Sequence, residues 1–364
     1  MASDAKTEWD AYYQRERAGL VPVLTTLGFT LDEKQIHTSG ERYLLSGRKL
    51  VLTGTRTNDG RRVILKASSD ASGIKEIEHE HACRVLLDTL AFAYSPFSAP
   101  EQLAFTKRNG YGISVIAFIE EERPFLTRTT EEQFMLVLRA FKMQEDVQAA
   151  TYSHERKVRA VFGLAGVEKY LADFSSYVET IRAACPENNS LEQVLTEASA
   201  FLSENKLYIE QYCGFLTHTD FVPHNFRLHK DEVYLLDNAS LRFGSKHESW
   251  ARLINYMALY NRDLESYLTR YVRENRSEEE YLSLRLMRIF KLGFLIAFYA
   301  KNLEKTSGDL RTLSESRIEF WTEVLRSVLK DQQISESILA NYKHARNSLR
   351  SEDEKTRQRA LSQL

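Results

Sequence analysis

Cysteine is scarce. Cys83, Cys185 and Cys213 are the only three in 364 residues. An odd number this widely spread excludes a disulfide framework and points to a reducing compartment. A surplus of either charge is also missing: 49 Lys and Arg stand against 51 Asp and Glu, for a net charge of −2. Neither nucleic acid nor an anionic membrane surface is therefore expected as a partner. Long apolar runs are lacking too. The longest, Leu292 to Ala300, falls far short of the ~20 residues a membrane span needs. The segment Met1 to Trp9 carries acids where a signal peptide has a basic start and an apolar core. A soluble, cytoplasmic protein is the expectation. No internal repeat or low-complexity tract is visible, which excludes solenoids and propellers. What remains is an ordinary globular composition, 43% hydrophobic and 27% charged, and a length that suits two domains or one bilobal unit.

The period of the apolar pattern changes along the chain. From Thr7 to about Leu27, Trp9, Tyr12, Tyr13, Leu20 and Leu24 recur at helical spacing, with Gly28 as a stop. Three strand-like runs follow, Glu41–Ser46, Leu50–Arg56 and Arg61–Ala67. The second turn, Asn58-Asp59-Gly60, supplies the positive φ of a tight hairpin. A helix is predicted from about Gly73 to Leu90, then a loop marked by Pro96 and Pro100. A second hairpin, Gln102–Lys107 and Tyr111–Ile119, turns at Asn109-Gly110. From Thr129 the pattern is helical, with capping boxes at Thr129–Glu132 and Ser277–Glu280. One interruption, from about Gly214 to Gly244, contains the short apolar segment Val233–Leu236 running into Asp237. The expected fold class is α+β: a small lobe with a five-stranded antiparallel sheet and one helix, joined to a larger, mainly helical lobe. The corresponding divisions are 1–36, an N-terminal helical extension; 37–122, the small lobe; and 123–364, the helical lobe.

The most informative stretch is Thr217-His218-Thr219-Asp220-Phe221-Val222-Pro223-His224-Asn225, followed by Val233-Tyr234-Leu235-Leu236-Asp237. Phosphoryl transfer from a nucleoside triphosphate needs one carboxylate facing the attacking hydroxyl. It also needs a carboxylate and an amide oxygen holding Mg²⁺ against the phosphates. His-x-Asp-x-x-x-x-Asn, then a strand ending in Asp, supplies those groups in that order. Lys66 ends the predicted third strand, where a lysine contacting the α- and β-phosphates belongs. Glu80 lies in the predicted helix as its carboxylate partner, with Glu76, one turn earlier, as second choice.

On these motifs the segment from about Glu41 to Asn255 resembles the aminoglycoside phosphotransferase and choline kinase-type enzymes, which have a protein-kinase-like fold. The resemblance implies a catalytic carboxylate at Asp220, Mg²⁺ bound by Asn225 and Asp237, and phosphates positioned by Lys66 with Glu80 behind it. It also implies adenine held through the backbone near Ala117–Ile119, so that Ala117 and Ile119 are cofactor-binding positions. ATP or GTP and Mg²⁺ are the implied cofactors, and the hydroxyl of a small molecule (amino sugar, aminoglycoside, choline-like amine or sugar) is the implied acceptor. The chain departs from the family pattern at Thr219, where glycine is usual, at Ala239, where a second acid is frequent, and at Ser46-Gly47-Arg48-Lys49, a thin version of a glycine-rich phosphate loop.

Other readings compete. His218 fits a structural prop of the loop better than a catalytic group, and His224 a plain loop residue. His79-Glu80-His81-Ala82-Cys83 looks like a metal cluster, but on a helix His81 points away from the face that His79 and Cys83 share. Glu120-Glu121-Glu122 reads as a solvated linker before it reads as an attractor of a cationic acceptor. No His-Arg-Asp or Asp-Phe-Gly string of the protein-kinase type is present, which favours a small acceptor over a protein. The alternatives are a nucleotide-sensing pseudokinase without transfer activity, and a kinase acting on a protein.

Overall fold

The computed structural model describes residues 2–45, 47–89, 98–146, 155–230 and 232–361. Helix α1, Ala2–Thr26, ends as expected where Gly28 adopts φ +81°, a left-handed conformation that costs glycine nothing. Its Tyr12, Leu20, Val23 and Leu24 are buried against the sheet side chains Leu50, Leu52, Leu65 and Val115. The helix is also tied down at its flank: Trp9 Nε1 donates to Thr38 O at 2.9 Å and Tyr12 Oη to Arg48 O at 2.5 Å.

The sheet has five antiparallel strands in the order β1-β2-β3-β5-β4: β1 Phe29–Leu31, β2 Leu50–Arg56, β3 Arg62–Ser68, β4 Gln102–Arg108 and β5 Tyr111–Ala117. Both predicted hairpin turns are present. Gly60 sits at φ +72°, and Asn109 and Gly110 sit at +52° and +81°. One expected strand is corrected. Gly40–Leu44 is a 3-10 turn, and the strand that completes the sheet is β1. The cause lies in the partners of this segment, which are not strands. Arg317 clasps the Glu41 carboxylate through two bonds of 2.8 and 3.0 Å, and the Glu41 N–H donates to Glu354 Oε2 at 2.8 Å. β1 in turn docks because its neighbour Gly54 lacks a side chain. A Cβ there would lie 2.1 Å from Thr30 O.

Helix α2, Ala71–Thr89, packs on the sheet and buries Ile77, Glu80, Cys83, Arg84 and Leu86. Leu90 and the loop carrying Pro96 lie outside the described residues. The larger lobe comprises α3 Thr130–Asp146, α4 Glu155–Phe162, α5 Val167–Ala184, α6 Asn189–Glu204, α7 Lys206–Gln211, α8 His247–Tyr260, α9 Arg262–Asn275, α10 Glu278–Asn302, α11 Gly308–Leu329, α12 Glu336–Leu349 and α13 Glu352–Leu361. The first capping box forms in full, and at the second only the cap side forms, because the Glu280 carboxylate pairs with Lys246 at 2.7 Å. Thr129 Oγ1 accepts the Glu132 N–H while Glu132 Oε2 accepts the Thr129 N–H, and Ser277 Oγ accepts the Glu280 N–H. The interruption contains β6 Phe215–His218, β7 Phe226–His229, β8 Glu232–Leu235 and β9 Leu241–Gly244, paired as two short antiparallel ribbons, β6 with β9 and β7 with β8. Helix α13 then returns to the small lobe and packs on the 3-10 turns Ile36–Thr38 and Gly40–Leu44. None of the described helices is long and apolar enough to cross a membrane.

Gly54→Ala should push β1 off the sheet edge. The expected cost is about 1–3 kcal/mol, seen as a lower urea midpoint with the rest of the sheet retained by far-UV circular dichroism.

Candidate active site

The two ribbons present three side chains to one cleft between the lobes. Asp220 follows β6, Asn225 ends the 3-10 turn Pro223–Asn225, and Asp237 follows β8. His218 braces the arrangement from behind. It is fully buried, its Nδ1 accepts the Asp220 N–H at 3.3 Å, and its Nε2–H donates to Asp237 O at 3.0 Å. Burial holds the imidazole neutral, with its pKa below the usual value. One ring therefore spaces the two acidic loops, a structural part. Ser249 at the start of α8 holds the strand end, since its Oγ accepts the His218 N–H at 2.8 Å. Thr219 needs no glycine here, because its φ is not positive and its N–H and Oγ1 both donate to Ser240 O.

Asp220 Oδ2 accepts from Asn225 Nδ2 at 2.7 Å, and Oδ1 accepts from Arg252 Nε at 2.7 Å. The carboxylate lies deep, yet 44% of its side-chain surface is open because it faces the cleft. Burial pushes its pKa up, but the Arg252 guanidinium more than offsets this and leaves it below the ordinary value. Asp237 is also held below the ordinary range: Lys66 and Lys49 together outweigh its burial. Its Oδ2 accepts from Ser240 Oγ at 2.9 Å, while Oδ1 is buried with no hydrogen-bond partner.

Lys66, on β3, is 5% exposed. Its three protons go to Glu80 Oε1 at 2.6 Å, Glu80 Oε2 at 2.7 Å and Leu236 O at 2.7 Å. Glu80 is thus the partner and Glu76 is not; Glu76 pairs instead with Lys49 at 3.5 Å. Burial lowers the Lys66 pKa and the Glu80 carboxylate works against that shift.

The cleft has a volume of about 540 Å³. Val51, Ile64 and the connecting segment Ile116–Ile119 line its small-lobe side, with Val222 and Leu236 opposite. In that segment Ala117 N–H donates to Glu101 O and Phe118 N–H to Arg62 O, so both amides are engaged in the sheet. Ile119 N–H is the open donor among the three. On the larger lobe Tyr256, Tyr260 and Trp321 line the cleft, whereas Trp250 is core, stacked on Phe141 with centroids 4.1 Å apart.

The remaining clusters disperse. His81 stacks on Phe105 at 3.8 Å and bonds Gln102, while His79 lies 3.7 Å from Cys83 Sγ. Among the described residues no group of three or more His, Cys, Asp or Glu side chains is arranged to hold a metal. Glu121 turns inward to accept the Leu228 N–H at 2.9 Å, and Glu120 and Glu122 are exposed. Motif spacing did not reveal Arg252, His37 or Arg350. Each reaches the cleft through tertiary packing, and no local pattern marks them.

No family model and no curated protein sequence matches the chain. Several solved structures do. The GDP complex of wild-type aminoglycoside 2'-phosphotransferase-IIIa is similar with a TM-score of 0.55 at 13% identity, over 76% of this chain and 89% of that one. A type I macrolide 2'-phosphotransferase gives 0.56 at 12%, over 83% and 96%. Amicoumacin kinase hAmiN, in complex with AMP-PNP, Ca²⁺ and Ami, gives 0.55 at 12%, over 91% and 97%. At these identities the shared property is the fold: the bilobal, protein-kinase-like arrangement of small-molecule phosphotransferases.

His37, which lines the cleft, supplies a pH test. Burial, helped by Arg357 and Arg227, lowers its pKa from 6.5 to about 4. Between those values the unfolded chain binds more protons than the folded one, so stability rises with pH across that window. Urea midpoints should be highest above pH 6.5 and fall as pH drops toward about 4, and His37→Gln should flatten part of that slope.

Proposed function

We propose that this protein is a phosphotransferase that moves the γ-phosphoryl group of ATP or GTP to a hydroxyl of a small molecule, with Mg²⁺ as cofactor. The observation that carries the reading is the convergence on one cleft of Asp220, Asn225, Asp237 and Lys66. Their donor chemistry fits a hard divalent cation. Asp237 Oδ1 is buried and unpartnered, and the Asn225 amide uses its nitrogen on Asp220, leaving the oxygen available. Asp237 and Asn225 would hold Mg²⁺, which supplies charge neutralisation at the phosphate oxygens.

The chain's own residues do the rest. Lys66 is locked in place before any ligand arrives and offers a fixed positive charge to the phosphates. The hydrophobic slot and Ile119 N–H suit a purine base. Asp220, held ionised by Arg252, accepts a hydrogen bond from the acceptor hydroxyl and aims its oxygen at the γ-phosphorus. As the new P–O bond forms, the bond to the β-phosphate oxygen breaks. The nucleoside diphosphate leaves, and the hydroxyl proton passes to the Asp220 carboxylate. A weakly basic carboxylate suits this sequence, because the hydroxyl becomes acidic only once its bond to phosphorus is largely made.

The test uses γ-labelled nucleotide, Mg²⁺ and a panel of hydroxyl compounds. Asp220→Ala should lower transfer by about 10²–10⁴-fold with nucleotide affinity retained. Binding without transfer to any compound would favour the pseudokinase reading, and label recovered on protein would favour a protein acceptor.

A further inference from the structure

A second hollow of about 560 Å³ adjoins the cleft. His224, Tyr256, Tyr260 and Arg350 line both spaces, so the two meet across these side chains at the end of the cleft formed by the larger lobe. The charged walls of this hollow are Arg346, Arg350, Lys355 and Arg359, with Glu352 as the one acid. Glu352 is engaged by Lys355 at 2.8 Å.

Two of these arginines are poised without partners. Nε and Nη1 of Arg346 and Nε of Arg350 are closed off from solvent and make no hydrogen bond. The Arg346 guanidinium lies 5.5 Å from the Tyr260 ring centroid, and Tyr260 is stacked on Tyr256 at 4.3 Å. The cation is therefore oriented by packing. The other guanidinium nitrogens, Nη2 of Arg346 and Nη1 and Nη2 of Arg350, are not closed off in this way, and they are the donors that an anion in the hollow can reach. The planar guanidinium fork matches a carboxylate or phosphate.

The carboxylates that line the two hollows already face cations: Glu76 pairs with Lys49 at 3.5 Å, and Asp237, the proposed Mg²⁺ ligand, lies in the field of Lys66 and Lys49. Asp220 is held by Arg252 and Asn225, Glu41 by Arg317, and Glu354 by Arg357 and Gln358. Glu120, Glu121 and Glu122 line neither hollow.

Resting on the phosphotransferase reading above, we infer that the acceptor is anionic: a small hydroxyl compound carrying a carboxylate or phosphate that Arg346 and Arg350 hold while its hydroxyl reaches Asp220. This sets the acceptor apart from the polycationic amino sugars and quaternary amines among the acceptors expected from the sequence. In the transfer step the anionic group is a spectator. The bonds made and broken are those at the γ-phosphorus.

The full chain, saturated with a non-hydrolysable ATP analogue and Mg²⁺, is titrated calorimetrically with gluconate, glucose 6-phosphate, glucose and kanamycin. At least one of the two anions should bind about tenfold or more tighter than glucose, the gain expected of a charge-assisted contact. Preference for gluconate identifies a carboxylate site and preference for glucose 6-phosphate a phosphate site. The double substitution Arg346→Gln with Arg350→Gln should abolish that preference and leave nucleotide affinity unchanged, while Arg346→Lys with Arg350→Lys should restore part of it. Three results would overturn the inference: no preference for either anion, a preference that survives the double glutamine variant, or a fall in nucleotide affinity in that variant, which would assign these arginines to the triphosphate. Phosphorylation of kanamycin would overturn it and leave the phosphotransferase reading standing. A wild-type chain that binds no nucleotide would instead remove that underlying reading.

Discussion

The architecture turns on one buried ammonium. Lys66 Nζ joins three elements: its own strand, helix α2 through Glu80, and the turn before Asp237 through the carbonyl of Leu236. A lysine has three protons to donate, and all three are placed. Burying the pair costs several kcal/mol in lost hydration. Good geometry recovers that cost only while both partners remain, so loss of either leaves an uncompensated charge in the interior. The contact therefore behaves as a registration device. It fixes where the Asp237 loop from the larger lobe sits against the sheet of the small lobe. It also sets a positive charge in the field of the Asp237 carboxylate, whose Oδ1 has no hydrogen-bond partner.

A second closure stands at the other side of the cleft. Glu41 is clasped by Arg317 of α11 and its amide by Glu354 of α13. The chain thereby meets itself across 276 and 313 residues. These contacts explain why part of the fold was not legible in the sequence. The hairpins, the capping boxes, the helix stop at Gly28 and the lysine at the end of β3 are local signals, each written within a few residues. The segment after Gly40 looked strand-like because its alternation is local too. Its conformation is decided by Glu41, whose carboxylate and backbone N–H find their partners on two helices near the far end of the chain. β1 escaped notice for a different reason: three residues are too few to show a period, and its docking depends on a missing side chain at Gly54, on the neighbouring strand.

The same division holds at the site. Residue types at fixed spacing announced Asp220, Asn225 and Asp237, because a loop and a short ribbon bring them together without help from elsewhere. Departures from the family pattern also have local answers. Thr219 takes ordinary backbone angles and satisfies itself on Ser240, and the neighbour of Asp237 in this chain is the Ser240 hydroxyl in place of a second acid. What the sequence withheld is the charge environment. Arg252 and Arg350 belong to a helix and a helix end, and neither carries a motif.

That environment bears on what the cleft accepts, which the fold leaves open. An anionic acceptor entering beside an ionised Asp220 and a triphosphate would meet strong repulsion, since like charges a few ångströms apart interact by several kcal/mol at protein-like dielectric. Arg252 addresses that problem directly. Through Nε it neutralises Asp220 without protonating it, and keeps the carboxylate available to a hydroxyl. With a cationic acceptor the same arginine would be an added repulsion, and a free Asp220 would attract the substrate unaided. The ion pair at the centre of the site and the unpartnered guanidinium groups at its far end thus favour the same sign of charge on the incoming molecule.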